Sequence, residues 1–265
     1  MSTGEKLFAY LNIDHPMVAW EVAIGRLQSV GEITADRFGV SLWGYSLLES
    51  YVHNQQPKRF ADELQLEHIR MRSYPDCVSR LHGLYFFKSE QDAQEALDRW
   101  GMPQRKQYIS AVQFVPSALT EVDSEWITWN LGSNDNPEWM NEYWNCKTAG
   151  ERPLTEILAT GSGVVLNKDL RIEAYKRIYD LWPTSTPLLA AACCGFNRCH
   201  LNNVALVRPG LVSKGNAIQG NYFIYMKEFD ERQTDIVAAV EDCNRAGEFP
   251  PIVMPTDQSK IFTLP

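Results

Sequence analysis

The stretch Tyr74-Pro75-Asp76-Cys77-Val78-Ser79-Arg80-Leu81-His82-Gly83-Leu84-Tyr85-Phe86-Phe87-Lys88-Ser89 joins three elements and sets the reading of the rest. Before it, residues 60–71 have helical spacing, with Phe60, Leu64 and Ile69 on the inner face and Pro75 as the stop. Within it, residues 78–87 read as a strand rich in aromatics. At its end, Ser89 caps a helix, SEQDAQEALDRW, whose acidic first turn suits the positive end of the helix dipole. Gly101 and Met102-Pro103 close that helix, and residues 107–115 read as the next strand, bounded by Pro116.

Outward from this centre the elements stay short. A strand is expected at 6–12 and a helix at 41–52. Asp123 opens the stretch VDSEWITWN, where Trp126 and Trp129 share a helical face that is most simply core. Residues 130–137 form a loop by composition, and Pro137 opens a short helix through Tyr143 and Trp144. Residues 154–159 read as a strand, followed by a tight turn at Gly161-Ser162-Gly163 and a second strand, VVL. A helix over 169–182 places Ile172, Tyr175, Ile178, Tyr179 and Trp182 on one side. A strand at 221–226 precedes a helix at 231–246 with Ile236, Val237, Val240 and Cys243 inward. Short strands with helices around them predict an α+β fold rather than a regular βαβ series.

Composition excludes several classes. The 265 residues are 45% hydrophobic and 22% charged, which is ordinary globular usage and leaves no room for a disordered or fibrous chain. The net charge of -8 is spread along the sequence, which argues against a protein that coats nucleic acid. Arg70, Arg72 and Arg80 are the nearest approach to a local basic patch. The longest apolar run, Leu188 to Phe196, is broken by Gly195 and is about half the length of a membrane span. With no basic start followed by an apolar stretch at the N-terminus, a cytoplasmic protein with free thiols is expected. Cys194, Cys199 and His200 cluster in sequence, but no second ligand pair follows, so no metal is expected. No G-x-G-x-x-G, Walker loop, H-E-x-x-H or G-x-S-x-G occurs. The 8 Trp, 11 Tyr and 11 Phe can build either a core or a slot for a planar ligand.

A second segment belongs with the first: Tyr143-Trp144, then a loop, then Pro153-Leu154-Thr155-Glu156-Ile157-Leu158-Ala159. As a pair, the two resemble the ADP-ribosyltransferase superfamily, and most of all its bacterial and phage branch. There a Pro-x-Ser-Arg-Leu segment runs into an aromatic strand, and a Tyr-Trp later precedes a Glu-Ile-Leu strand. Gly83-Leu84-Tyr85-Phe86, with Ser89 and Ala93, is similar to the Gly-x-Tyr-Phe strand and following helix of poly-ADP-ribose polymerases. The resemblance implies a split pair of small antiparallel or mixed sheets with surrounding helices. It covers residues 1–166 as the core and leaves 167–265 as an extension packed on it.

The implied chemistry is cleavage of the nicotinamide–ribose bond of NAD and transfer of ADP-ribose to a macromolecule, either RNA, DNA or protein. Glycoside cleavage develops cationic character at the sugar carbon and wants a carboxylate close by. Glu156 is the expected catalytic carboxylate. A Glu on the wet face of an edge strand has the same local pattern, and the Ser-Arg-Leu and Tyr-Trp segments tip the reading toward catalysis. Tyr85 would stack on the cationic nicotinamide, as the strand Tyr does in the resembled family. Tyr143 would add a ring to the NAD-binding side. Ser79 would orient the ribose, and Arg80 would fork onto the pyrophosphate. The first strand of the superfamily supplies a His or Arg; KLFAYLN has neither, and Tyr10 is the substitute. Arginine-modifying members have a further Glu where this chain has Leu154, which argues against an arginine acceptor and leaves room for another nucleophile. The resemblance implies a toxin or phage-defence effector, with an antitoxin or inhibitor protein as partner. The alternatives are an NAD glycohydrolase with water as acceptor, or a non-catalytic nucleotide- or protein-binding relative.

Overall fold

A computed structural model describes residues 4–30, 37–54 and 57–247. In chain order the elements are β1 (Glu5–Tyr10), α1 (Pro16–Ile24), β2 (Arg26–Gln28), β3 (Arg37–Gly39), α2 (Leu42–Asn54), α3 (Pro57–Ser73), β4 (Leu84–Phe86) and α4 (Glu90–Arg99). Then come β5 (Ile109–Asp123), α5 (Glu125–Asn130), α6 (Glu138–Trp144), β6 (Thr155–Val165), α7 (Lys168–Leu181) and α8 (Thr186–Cys199). The last are β7 (Leu206–Lys214), β8 (Ala217–Tyr225), α9 (Lys227–Glu231) and α10 (Gln233–Ala246). One sheet has the strand order β1-β5-β6-β2, with β4 also paired to β6; a three-stranded sheet has the order β3-β7-β8. The pairs β1–β5, β4–β6 and β3–β7 are antiparallel. The architecture is therefore α+β with small antiparallel sheets. Among the described residues no helix is long and apolar enough to cross a membrane.

The chain divides into two compact units, the first made of residues 1–10, 28–163 and 209–221, the second of 11–27, 164–208 and 222 onward. Both units are discontinuous in sequence: residues 11–27 group with 164–208, and 209–221 group with the first unit.

In the first unit two apolar clusters form. Phe87, Ala93, Ala96, Leu97, Ile109 and Leu154 make one, where the capped amphipathic α4 lays its small residues down. Leu66, Val78, Val122, Trp139, Met140, Tyr143, Trp144 and Leu158 make the other. In the second unit α1 is buried from Ala19 to Ile24 and ends at Gly25, whose φ of 96° is left-handed. It packs against α7 and α8, and α8 packs against α10. All six cysteines are free thiols.

Several elements differ from expectation for physical reasons. The strand expected over 78–87 shrinks to β4, because Val78–Gly83 curl into a turn in which Gly83 N donates to Ser79 O at 2.8 Å. Gly161-Ser162-Gly163 is no turn; it lies inside the continuous β6. Gly161 has φ 141°, and a Cβ there would sit 2.2 Å from Val115 O. The glycines let β6 pass close to β5 rather than reverse the chain. β5 likewise runs through Pro116 to Asp123. On α3 the buried side chains are Asp62, Glu63 and Leu66, whereas Leu64 is exposed. On α7 they are Leu170, Ala174 and Ile178, with Ile172 and Tyr179 exposed. The expected helix over 231–246 is α10, with the short α9 just before it.

Candidate functional site

The site grows from the pairing of β4 with β6. Tyr85 stands opposite Leu158 and Phe86 opposite Ile157. Side chains alternate across a strand, so Tyr85, Leu158 and Glu156 share one face, and Phe86 turns away to meet Phe114. That face receives α3 and α6 and the turn after α3.

The turn itself is clamped. Arg70 Nη1 donates to the carbonyl oxygens of Pro75 and Cys77, and its other nitrogens pair with Glu67. Ser79 Oγ donates to Glu67 Oε2 at 2.9 Å and accepts from Leu81 N at 3.1 Å. Val78 N donates to Thr120 Oγ1 on β5. These bonds aim Arg80 inward, where only 3% of the residue is exposed.

Arg80 is the hub. Its Nε donates to Glu63 Oε1 at 2.8 Å, and its Nη1 donates to Tyr143 Oη at 3.0 Å. Its Nη1 also lies 3.9 Å from Glu156 Oε2, which is ion-pair range but beyond a hydrogen bond. The guanidinium carbon sits 5.8 Å from the Trp43 ring centroid, 5.4 Å from Tyr85 and 5.6 Å from Tyr143. Three rings thus face one cation. Tyr85 Oη donates to the carbonyl of Arg80 at 2.7 Å, and Ser41 Oγ donates to the same oxygen at 3.3 Å. Trp43 Nε1 donates to Glu63 Oε2 at 3.2 Å, so each oxygen of Glu63 has a partner.

Glu156 differs from Glu63. Its side chain is 8% exposed, and among the described residues no hydrogen bond reaches its carboxylate. Burial, together with the negative charge of Glu63, outweighs Arg80 and pushes Glu156 up to about 7. Burial works against the charge of Arg80, but Glu63 foremost holds that guanidinium well above its ordinary range. Burial also raises the phenols of Tyr85 and Tyr143, which stay neutral near pH 7. The arrangement can therefore hold or release a proton at Glu156 near neutral pH and stabilise positive charge developing beside it.

Of the residues expected from the sequence, Glu156, Tyr85, Arg80 and Tyr143 converge, and Ser79 is one residue from the hub. Tyr10 does not join them; it packs beside Phe8 and Trp100 on the α4 cluster. Leu154 is buried in that same cluster. Arg80 is paired with Glu63 inside the protein and Arg70 with Glu67, while Arg72 is exposed. Trp129 is exposed, and Trp126 packs on the second cluster with Nε1 donating to Lys147 O. Asp123 proves structural: its carboxylate accepts from the backbone N–H groups of Glu125, Ala149 and Leu154, fixing the approach to β6. Among the described residues no three His, Cys, Asp or Glu side chains are placed to hold a metal ion.

Trp43 and Glu63 are the residues that sequence reading passes over. A signal existed for Glu63. It lies three residues before Leu66, so it shares a helical face with an apolar residue and needs a buried partner.

A family model described as a protein of unknown function (DUF2441) matches residues 36–173. The chain belongs to this family. The stretch matched by DUF2441 contains Trp43, Glu63, Ser79, Arg80, Tyr85, Tyr143 and Glu156, whereas Tyr10 lies outside it. No curated protein matches the chain.

Proposed function

We propose that this DUF2441 chain is an NAD-consuming ADP-ribosyltransferase with its reaction centre at Glu156. The observation that carries the reading is a buried carboxylate without a hydrogen bond, on the same strand face as a tyrosine ring and beside a second one. A buried carboxylate that meets its cation only at 3.9 Å and accepts no hydrogen bond costs stability, so it needs a compensating role. The antiparallel β4–β6 pair and the small sheets agree with the split-sheet fold that the resemblance implies.

NAD suits the donors present. Its nicotinamide is a planar cation, which an aromatic face attracts. Its reacting carbon gains positive charge, which a carboxylate stabilises. In this reading the C–N bond breaks with its electron pair going to the nicotinamide ring nitrogen. A hydroxyl or other nucleophile of a nucleic acid or protein forms the new bond at the ribose carbon and gives up a proton. Glu156 acts as carboxylate, Tyr85 and Tyr143 supply the aromatic wall, and Ser79 lies at the edge of the site. Arg80 sets the charge of Glu156 from behind rather than meeting the pyrophosphate, because its guanidinium is committed to Glu63 and Tyr143.

The test is nicotinamide release from NAD by the full chain in cell lysate. Glu156→Gln is expected to lower the rate by roughly 10²–10³-fold. An unchanged rate removes Glu156 from the reaction. Because the reactive form is the carboxylate, the rate should rise with pH through about 7. Label from the ADP-ribose half retained on RNA, DNA or protein marks transfer and names the acceptor class. Free ADP-ribose alone marks a glycohydrolase. A second reading, a non-catalytic binding module, is favoured by the way Arg80 closes its hydrogen bonds within the cluster. Absence of nicotinamide release from the unaltered chain would select it.

A further inference from the structure

Two carboxylates compete for one guanidinium in this cluster. Glu63 holds Arg80 Nε at 2.8 Å, while Glu156 waits at 3.9 Å from Nη1. Glu63 is in turn held by the indole N–H of Trp43 at 3.2 Å. Tyr143 takes the Nη1 hydrogen bond that Glu156 would otherwise receive. We propose that Glu63 is the positioning residue of the site: by claiming Arg80, it keeps Glu156 out of a locked ion pair and leaves its carboxyl free to exchange a proton and act.

The competing groups can be named element by element. From α3 comes Glu63; Glu67 on the same helix is paired with Arg70 and Ser79. From the turn comes Arg80, from β4 the phenol of Tyr85, and from α6 the phenol of Tyr143. Trp43 of α2 carries no charge. Among the described residues, Arg80 and Glu63 are the charged groups that act on Glu156. Neutralising Glu63 changes both in the same direction. It removes a negative charge near Glu156, and it frees Arg80 to pair with Glu156. Each effect favours the charged carboxylate.

The role of Glu63 rests on the reading of Glu156 as the reacting group, but its test does not need activity. The full chain carrying carboxyl-labelled glutamate is titrated by NMR, with the Glu156 signal identified by its loss in Glu156→Gln. Glu63→Gln keeps the shape and one of the two accepting oxygens while removing the charge, and should move the Glu156 midpoint down by roughly one pH unit or more. Glu63→Asp keeps the charge but draws it back from Arg80, and should move the midpoint down by less. A midpoint in Glu63→Gln at or above that of the unaltered chain overturns the proposal. If Glu63→Gln fails to fold, a midpoint in Glu63→Asp at or above the unaltered value does the same. A shifted midpoint without nicotinamide release in the unaltered chain would leave Glu63 in its role and sink the transferase reading. Release that depends on Glu156, with an unshifted midpoint, would do the reverse.

Discussion

Among the described residues each unit has a buried arginine–glutamate network, and the two share their charges in opposite ways. In the first unit one arginine, Arg80, serves two carboxylates, Glu63 and Glu156. In the second, one carboxylate, Glu21, faces two arginines. Arg26 pairs with it through Nε at 2.5 Å and Nη2 at 3.1 Å, and Arg208 feels its charge. Neither cation sheds its charge near neutral pH: burial lowers the pKa of Arg208, but from a starting point far above neutral. That network is instead tied off by backbone. Arg26 Nη1 donates to the carbonyls of Asn202 and Val204, and Glu21 Oε1 accepts from Val207 N. Glu156 of the first unit differs: it can take a proton. A network around one shared carboxylate is a staple, and one in which two carboxylates share an arginine is a titrating site.

The largest effects should come from removing the shared member of each network. Arg80→Met leaves Glu63 and Glu156 without their shared cation, and Glu21→Gln takes the carboxylate from Arg26 and its charge from Arg208, each at a cost of roughly 3–5 kcal/mol in urea unfolding at pH 8. The comparison breaks or holds on acidification. Carboxylates left without their cation take up protons, so the loss in Arg80→Met should shrink toward pH 5. Guanidiniums stay charged throughout, so the loss in Glu21→Gln should not shrink. Equal pH slopes in the two variants would mean that the networks are of one kind.

The sequence marks these two networks very differently. Arg80 and Glu156 are legible because they sit in segments with a recognisable order of residue types, Ser-Arg-Leu and Glu-Ile-Leu. Glu63, Glu21 and Arg26 stand in stretches with no such order, and a charged residue in a helix reads as a solvated face until its partner is known. Strand position is legible where aromatics cluster, as at β4. The turn of residues 78–83 was not, because it is made by the long-range hold of Arg70, Glu67 and Thr120 rather than by turn residues. The continuity of β6 was hidden because glycines that permit close strand approach look like glycines that permit a turn. Tyr10 is legible as strand but not as packed against an apolar cluster, since that cluster is built largely from α4.

The next effect has the opposite sign. Glu156→Gln removes the second negative charge and should stabilise the fold above neutral pH. The folded value, about 7, lies above the ordinary 4.5. The neutral carboxyl is thus favoured in the folded chain; its contribution is fully present below the ordinary value and is lost as pH rises through about 7. At pH 8 the gain in Glu156→Gln should reach up to about 3 kcal/mol, and it should vanish below the ordinary carboxylate range. Thermal or urea unfolding of the two proteins across pH reads this directly. A variant that is stabler at high pH yet releases no nicotinamide would show the carboxylate held at a cost for its chemistry. A loss of stability at pH 8 would mean that Glu156 is a structural partner of Arg80 and would merge the two kinds of network.

The smallest effect separates the ring of Tyr85 from its hydroxyl. In Tyr85→Phe the carbonyl of Arg80 loses one donor at 2.7 Å but keeps Ser41 Oγ at 3.3 Å, so it is not left bare. The expected cost is about 1 kcal/mol, that of one exchanged hydrogen bond. The ring remains against the guanidinium, so the Glu156 titration midpoint should stay in place, and nicotinamide release should fall by less than roughly tenfold. The second unit supplies the control. Trp20 Nε1 donates to the carbonyl of Ala205 at 2.9 Å, and Trp20 is among the largest fully buried side chains. Trp20→Phe removes a donor and leaves a cavity together, so it should cost more than Tyr85→Phe while leaving the pH dependence of nicotinamide release unchanged. A midpoint that moves in Tyr85→Phe would show that the hydroxyl, by fixing the Arg80 backbone, also sets how far the guanidinium stands from Glu156.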